Sequence, residues 1–496
     1  MKYIYFLGII GVLWCSSCSE KRKYPNVILI LADDLGYGDI SAYQPQSALK
    51  TPVLDSLAKS GLSFTNAHAA SAVCTPSRYS LLTGEYSWRS KLKSGVLFGY
   101  DQPLITPEKM TIPKMLKQLG YQTGMIGKWH LGLPWQLKED SDYKERTKEK
   151  IYFQVLAKEN DVVLDAPFTD TLWHQKIGFD YFYGISASLD MPPYGFVENG
   201  HYTGSLTATL QAKKDTTLTQ NTFWRSGPAT PDFEPEEVLG QLLEQSTAFI
   251  ERNQDGPFFL YVPLTAPHTP WLPTKDFQGK SGVGTYGDFV QMVDWSVGEI
   301  TAKLKALDLQ EETIIIFSSD NGAPLKGIDS YGGEGHAANA GWRGQKGDLY
   351  EGGHRVPLIM TWGNQLPARQ SGELVMLNDV MRTLADLLNI SLQKGEGVDS
   401  HSFAGVVSGE ENWQGRTEAV YHSQVGTFAL QHGNWKWIEH LGSGGFSKPR
   451  IVEPEGVETG QLYNLQEDTL EQNNRMLQEK ERAMYLQQRL KEMKSF

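Results

Sequence analysis

The chain has 496 residues, enough for one large domain with a smaller companion or for two or three ordinary ones. Hydrophobic residues make up 40% and charged residues 21%, a globular composition that excludes a disordered chain. With 46 Lys+Arg against 58 Asp+Glu the net charge is −12, and neither a basic stripe nor zinc-finger spacing marks a nucleic-acid partner. An anionic substrate therefore has to be captured by a local basic site rather than by bulk charge.

Residues 3–14 are almost wholly apolar, followed by Cys15-Ser-Ser-Cys18-Ser and a charged stretch at 20–23. About twelve apolar residues are too few to span a bilayer but suit the core of a signal peptide. Residues 1–18 read as such a leader. Small residues before Cys18 resemble a bacterial lipoprotein cleavage site with Cys18 as the lipidated residue; a plain secretory signal is the alternative. Either predicts export, to the periplasm or the outer membrane of a Gram-negative bacterium. Once the leader is removed, Cys74 is the one remaining cysteine, so no internal disulfide can form.

The run at 26–32 (Asn-Val-Ile-Leu-Ile-Leu-Ala) is continuously apolar and reads as a strand buried on both faces. It runs into Asp33-Asp34. A helix is expected over 51–61, with Pro52 near its start and Gly61 at its end. Cys74 follows, and Pro76 is placed to open a helix, because proline at a first helical position loses no needed N–H. Cys74 then sits at a helix N-terminus, where unpaired N–H groups favour negative charge, with Arg78 on the same face at i+4. A lone thiol there is either buried and inert or chemically used.

Next come a helix over 111–119, a strand over 121–127 leading into Lys128-Trp-His130, and a polar insertion at 134–170 with no clear period. A helix is expected over 236–252, then a strand over 257–263 that ends near His268. A helix over 288–307 precedes a strand over 313–318 ending in Asp320-Asn321. Residues 332–353 form a glycine-rich loop around Lys346, and 374–388 read as the last helix of this unit. Beyond 389 the pattern changes to a hairpin over 420–439, a strand over 460–465 and a terminal helix over 470–496. The chain thus divides into a large doubly wound α/β domain over 25–390 and a smaller α+β subdomain over 391–496, which carries a small antiparallel sheet and the terminal helix.

Asp33-Asp34, Lys128, His130, His268 and Asp320-Asn321 each lie just past a predicted buried strand. In a parallel sheet those ends share one edge, where open α/β folds place their sites. Asp33, Asp34, Asp320 and Asn321 form a hard-oxygen ligand set that favours Ca²⁺ or Mg²⁺ over zinc, although each pair alone also suits a helix cap or turn. Lys128, His130, His268 and Lys346 supply positive charge and proton transfer.

These residues fall in motifs that resemble the type I, formylglycine-dependent sulfatases of the alkaline phosphatase superfamily. Cys74-Thr-Pro-Ser-Arg78 with Leu81-Leu-Thr-Gly84 resembles their first signature, and Gly120-Tyr-Gln-Thr-Gly-Met-Ile-Gly-Lys-Trp-His130 the second. Leu31-Ala-Asp-Asp34, Ser319-Asp-Asn-Gly322 and Arg343-Gly-Gln-Lys-Gly-Asp-Leu-Tyr-Glu-Gly-Gly353 are similar to further family segments. The resemblance implies an alkaline phosphatase-like mixed sheet and a sulfuric ester hydrolase. It implies that Cys74 is oxidised to formylglycine (3-oxoalanine) by a formylglycine-generating or anaerobic sulfatase-maturing enzyme. One hydroxyl of the hydrated aldehyde attacks sulfur; the other then loses its proton and expels sulfate. By the same resemblance one Ca²⁺ ion, in preference to Mg²⁺, is held by Asp33, Asp34, Asp320, Asn321 and the modified residue 74. Arg78 and Lys128 hold the diol, His130 takes its proton, and His268 and Lys346 contact sulfate and the leaving oxygen.

Segments 178–184 and 186–194 are similar to the arylsulfatase A and N-acetylgalactosamine-6-sulfatase branch, with His174 and Asp190 as candidates for contacting sugar hydroxyls. The expected substrate is a sulfated carbohydrate, galactose- or N-acetylgalactosamine-type and 6-O-sulfated, from host or dietary glycans. Hydrolysis of phosphate or phosphonate esters and non-catalytic glycan binding by an anchored lipoprotein are the alternatives.

Overall fold

The computed structural model describes residues 23–141, 143, 158–215, 222–325, 328, 335–410, 413–451 and 460–495. The leader with Cys15 and Cys18, and the middle of the 134–170 insertion, lie outside the described residues. Among those described, no helix is long and apolar enough to cross a membrane.

Strand β1 (Asn26–Ala32) is buried along its whole length. Its side chains alternate between two cores: Val27, Leu29 and Leu31 point into one, Ile28, Ile30 and Ala32 into the other. A strand between two apolar layers needs no polar face, which is why its sequence does not alternate. Around it lie β2 (Leu62–Phe64), β3 (Gln122–Lys128), β4 (Tyr181–Ile185), β5 (Val197–Glu198), β6 (His201–Tyr202), β7 (Phe258–Pro263), β8 (Thr313–Ser319), β9 (Leu358–Trp362) and β10 (Arg369–Ser371). They form one ten-stranded sheet in the order β10-β2-β9-β8-β1-β7-β3-β4-β5-β6. The central five, β8-β1-β7-β3-β4, are mutually parallel, with Ile28 opposite both Leu260 and Ile315. Strand β9 runs antiparallel to β8 on one side and β5 antiparallel to β4 on the other, so the sheet is mixed.

Helices α1 (Pro52–Ser60), α3 (Val238–Arg252) and α4 (Gly284–Ala306) cover one face. Helices α2 (Cys74–Thr83) and α5 (Asp379–Leu387) cover the other. This is the expected doubly wound α/β architecture.

Several boundaries differ from the sequence reading. Helix α2 begins at Cys74 rather than at Pro76, with Val73 extended before it. Proline is tolerated inside the first turn because its missing N–H would have no intrahelical acceptor. The helix ends at Gly84 in a left-handed conformation (φ 67°), whose N–H reaches the Ser80 carbonyl at 2.9 Å. The stretch expected as one helix over 374–388 divides into a short strand (Val375–Met376) and α5. Asp379 accepts the Met376 N–H and stops the helix from extending backwards.

The C-terminal unit is a four-stranded antiparallel sheet, β11 (Glu418–His422), β12 (Phe428–His432), β13 (Trp435–Ile438) and β14 (Gln461–Asn464), covered by α6 (Lys480–Lys494). Helix α6 is shorter than the expected 470–496. Asp468 accepts the Gln472 and Asn473 N–H groups and Asn474 accepts those of Leu462 and Met476, which diverts these residues from helical bonding.

This unit is bonded into the large domain. Ala72 N–H donates to His422 O (2.9 Å), Gln424 N–H to Gly347 O (3.1 Å), and Leu349 N–H to Ser443 O (2.7 Å). A Cβ on Gly445 would lie 2.1 Å from the Gly347 carbonyl carbon, so the two backbones touch only because residue 445 is glycine. The approach to Cys74 and the loop carrying Lys346 are therefore held by the small sheet.

At the seam, buried Lys436 lies 2.9 Å from Glu351, 2.8 Å from Glu471 and 3.0 Å from His354 Nε2. Burial pushes the Glu351 carboxyl up, but Lys436 and the neighbouring histidines hold it well below the usual range. The ammonium already fills the centre of the His68–Glu351–His354 cluster, which reads as a structural pin rather than a metal site. Lys436→Ala leaves buried Glu471 without its cation and Glu351 with Arg355 alone, at 3.0 Å. It is expected to cost about 3–5 kcal/mol, read as a lower midpoint in denaturant unfolding; an unchanged midpoint refutes the pin.

Candidate active site

The five parallel strands end at one edge, and the chain leaving four of them carries polar residues into the same volume. Strand β1 delivers Asp33 and Asp34, β3 delivers Lys128 and His130, β7 leads to His268, and β8 delivers Asp320 and Asn321. Asp34 and His130 both have positive φ (65° and 56°), an uncommon conformation for residues other than glycine that gathers at functional sites. Three backbone bonds fix the edge: Asp33 N–H to Ala266 O (3.0 Å), Asp320 N–H to Ala32 O (3.1 Å) and His130 N–H to Ser186 O (3.0 Å).

Cys74 enters at the first turn of α2, with Sγ 3.5 Å from Asp33 Oδ1 and 4.0 Å from Asp34 Oδ1. Arg78, one turn on, donates from Nε (3.0 Å) and Nη2 (2.7 Å) to Asp320 Oδ2; Nη2 also lies 3.3 Å from Asp33. Lys128 Nζ donates to Asp33 Oδ2 at 2.6 Å and Lys346 Nζ to Asp34 Oδ2 at 2.7 Å. His268 Nε2 stands 3.7 Å from Asp34 Oδ2, and its Nδ1 is engaged with the Thr269 carbonyl. Asp33, Asp34, Cys74, Arg78, Lys128, Asp320 and Lys346 are all buried.

Burial is the largest influence on every shifted group here, and the neighbouring charges reverse its effect at Asp33, Arg78 and Lys346. The Asp33 carboxyl is raised by burial yet held well below the ordinary range by Lys128, His268 and Arg78. Burial pushes Asp320 up against the pull of Arg78. The Lys346 ammonium is lowered by burial but raised overall by Asp34. Burial and Asp320 push the Cys74 thiol well up, so it stays protonated and is a poor nucleophile as it stands. His130 is driven well down by burial, Lys128 and Arg78. Its Nε2 lies 2.7 Å from Leu97 O and so carries the proton, leaving buried Nδ1 as an acceptor without a hydrogen-bond partner.

The donor set fits a hard divalent cation. One ligand atom each from Asp33, Asp34, Cys74 and His268 lies within 4.8 Å of the others. Asn321 donates from Nδ2 to Asp34 (2.7 Å), while its buried Oδ1 has no hydrogen-bond partner. An orphaned carboxamide oxygen beside three carboxylates is a poor arrangement for a dry core and a suitable one for an oxygen-seeking ion.

Two expected residues stand elsewhere. His174 packs among aromatic rings beneath the sheet, against Trp173 (6.0 Å) and Phe182 (6.5 Å), and is not brought to the site. A histidine directly after a tryptophan can serve a core as well as a ligand, and packing put it in the core. Asp190 lies on the loop after β4, beside the site, ion-paired to Arg225. Two contributors were not singled out from the sequence. Thr75 Oγ1 donates to His130 O (2.9 Å) and accepts from Leu97 N–H (3.1 Å), locking the two loops together. Arg225 sits in an irregular stretch whose composition carries no periodic signal.

A covered nucleophile position at a helix N-terminus, ringed by three carboxylates and three fixed cations at a parallel-sheet edge, defines an ester hydrolase acting on a tetrahedral oxyanion. Residues 25–390 match the sulfatase family model. An N-acetylgalactosamine-6-O-sulfatase of Bacteroides thetaiotaomicron is 32% identical over an alignment of 528 residues, spanning 98% of this chain and 98% of that protein. Human arylsulfatase A is 32% identical over 378 residues, 74% of this chain and 65% of that protein. A solved Bacteroides thetaiotaomicron sulfatase, from work on the metabolism of multiple glycosaminoglycans, superposes with a TM-score of 0.79 at 31% identity over 95% of this chain and 100% of that one. The chain belongs to the sulfatase family and is a sulfuric ester hydrolase. Sulfatases generally use formylglycine and a divalent metal.

The cation site has a readout independent of turnover. Titrating the protein with Ca²⁺ or Mg²⁺ is expected to raise its melting temperature, a hundredfold excess over Kd adding about 2.7 kcal/mol. Asp34→Asn combined with Asn321→Ala is expected to abolish that rise. A wild-type melting curve indifferent to both ions sinks the cation site.

Proposed function

We propose that the protein removes 6-O-sulfate from galactose- or N-acetylgalactosamine-type sugars of host or dietary glycans. The observation that carries the chemistry is the placement of Cys74 among Asp33, Asp34, Asp320, Arg78, Lys128 and Lys346. Supporting the sugar is the relative that matches almost end to end, an N-acetylgalactosamine-6-O-sulfatase.

In this reading Cys74 is converted to formylglycine by a maturation enzyme of the formylglycine-generating or anaerobic class. The thiol cannot do the work of the hydrate, because releasing bound sulfate needs a second hydroxyl on the same carbon to lose its proton. One Ca²⁺ held by Asp33, Asp34, Asp320 and Asn321 supplies charge stabilisation at the sulfate oxygens when bound. Arg78 and Lys128 hold the oxygens on residue 74, both locked in place by Asp320 and Asp33. His130, neutral and with Nδ1 open, takes the hydroxyl proton that expels sulfate. Lys346 and His268, on the Asp34 side, meet the incoming sulfate and the leaving oxygen. The α2 N-terminus adds its dipole to the same negative charge. Export, with lipidation at Cys18, belongs to the same proposal, since sulfated glycans are met outside the cytoplasm.

Protein purified from its native host is expected to show at residue 74 the mass loss of a thiol-to-aldehyde conversion. Sulfate release from 6-sulfated sugars is expected to fall by about 10⁴-fold or more in Cys74→Ala, the scale of losing a nucleophile. Fully active protein with an intact thiol refutes the mechanism. Faster release from the phosphate ester of the same leaving group refutes the substrate class.

A further inference from the structure

Two loops meet beside His130. Its ring Nε2 donates to Leu97 O at 2.7 Å, and its backbone N–H donates to Ser186 O at 3.0 Å. Phe98 follows Leu97 directly, and Asp190 is four residues beyond Ser186. The two loops are in close contact, since a Cβ on Gly99 would lie 1.8 Å from Pro192 O.

Arg225 reaches over this junction. Its backbone N–H and Nη1 both donate to Asp190 O at 3.1 Å, and Nη1 also pairs with Asp190 Oδ2. Its guanidinium carbon lies 5.5 Å from the Phe98 ring and 5.3 Å from the Phe223 ring. Tyr194 OH donates to Arg225 O at 2.6 Å and fixes the backbone. The head group is thus held on two aromatic faces and one carboxylate, yet its side chain is 41% exposed while that of Asp190 is 8% exposed. Among the described residues, neither Nε nor Nη2 has a hydrogen-bond partner, so the outer edge of the fork presents free donors beside the two loops that His130 joins. Holding an arginine so firmly while leaving half its donors unused is costly in side-chain entropy unless a ligand uses them.

We propose that Arg225 is a specificity-determining residue that donates from its outer edge to ring hydroxyl oxygens of the sugar bearing the sulfate, with Asp190 as the residue that positions it. Charge selects the ligand. Asp190 neutralises the guanidinium, and its second oxygen, Oδ1, is buried without a hydrogen-bond partner. An anionic group on a neighbouring sugar would face that carboxylate, whereas neutral hydroxyls, each donor and acceptor, complement the pair. Asp190 therefore acts on the sugar chiefly through Arg225.

This inference rests on the carbohydrate sulfatase reading, and its test separates the two. Steady-state kinetics are measured for wild type, Arg225→Ala, Arg225→Lys and Asp190→Asn on three esters. These are a 6-sulfated galactose-type monosaccharide, its analogue lacking the ring hydroxyls at positions 3 and 4, and 4-nitrophenyl sulfate. Arg225→Ala is expected to lower kcat/KM for the intact sugar about tenfold to a hundredfold more than for the aryl ester, chiefly through KM. Asp190→Asn follows in the same direction, Arg225→Lys recovers part of the loss, and the penalty shrinks on the deoxygenated sugar. Equal losses on all three esters assign the pair a merely structural role and overturn the proposal. So does an unchanged sugar kcat/KM. Wild-type turnover of the aryl ester without any sugar sulfate removes the carbohydrate reading, and this inference falls with it.

Discussion

The structure depends on closing three carboxylates and three cations into one dry, neutral cluster. Asp33, Asp34 and Asp320 face Lys128, Lys346 and Arg78 at 2.6–2.7 Å, all inside the protein. Any one of these charges alone would be prohibitive to bury, and only their mutual placement makes the site affordable. The same constraint preorganises the chemistry. The cations are held by carboxylates before substrate arrives, so little reorganisation remains when negative charge develops on a sulfate. Asn321 Oδ1 and His130 Nδ1, each buried and without a hydrogen-bond partner, are the two open valences of an otherwise closed network. One suits a cation and the other a proton.

That cluster exists because the sheet is parallel at its centre. Five neighbouring strands run the same way, so their C-terminal ends emerge together and polar residues separated by nearly the whole domain meet there. The helices on both faces exclude water from the strands. The small antiparallel sheet then completes the site from outside. It bonds to Ala72, just before Cys74, and to Gly347, just after Lys346, so two charged elements are clamped by one unit. Lys436 makes that clamp specific, because a slipped docking would leave Glu471 buried without a cation and Glu351 with Arg355 alone. The C-terminal unit is therefore part of the site's architecture.

The outer ring of the cleft follows a different logic. Around residue 74 the groups are charged, buried and paired with one another before substrate arrives. Farther out, buried Asp190 holds a partly exposed Arg225 whose outer donors are left over. His130 joins the two zones, since its ring bonds one loop of the cleft and its backbone the other.

Much of this was present in the linear sequence. The unbroken apolar runs at 26–32, 257–263 and 313–318 could only be strands between two layers, and polar residues directly after them had to lie at one edge. The motifs around Cys74, Lys128 and Lys346 carried the chemistry, because residue type and spacing survive without coordinates. Other features were not legible. Whether α2 begins at Cys74 or Pro76 is decided by the extended Val73 before it, and the start of α6 by side chains of Asp468 and Asn474 that compete for backbone N–H groups. His174 and Asp190 looked alike as isolated polar residues, and packing sent one among aromatic rings and the other to the cleft. Arg225 had no signal at all, because its position depends on contacts with Phe98, Phe223 and Asp190, none adjacent in sequence but for the Phe223 hairpin. The sequence by itself determined the sheet, its polar edge and the reacting groups, since these follow from local hydrophobicity and side-chain chemistry. Only the tertiary structure decided which charges pair, which valences stay open and what lines the cleft, since those depend on distances between residues that the chain brings together from far apart.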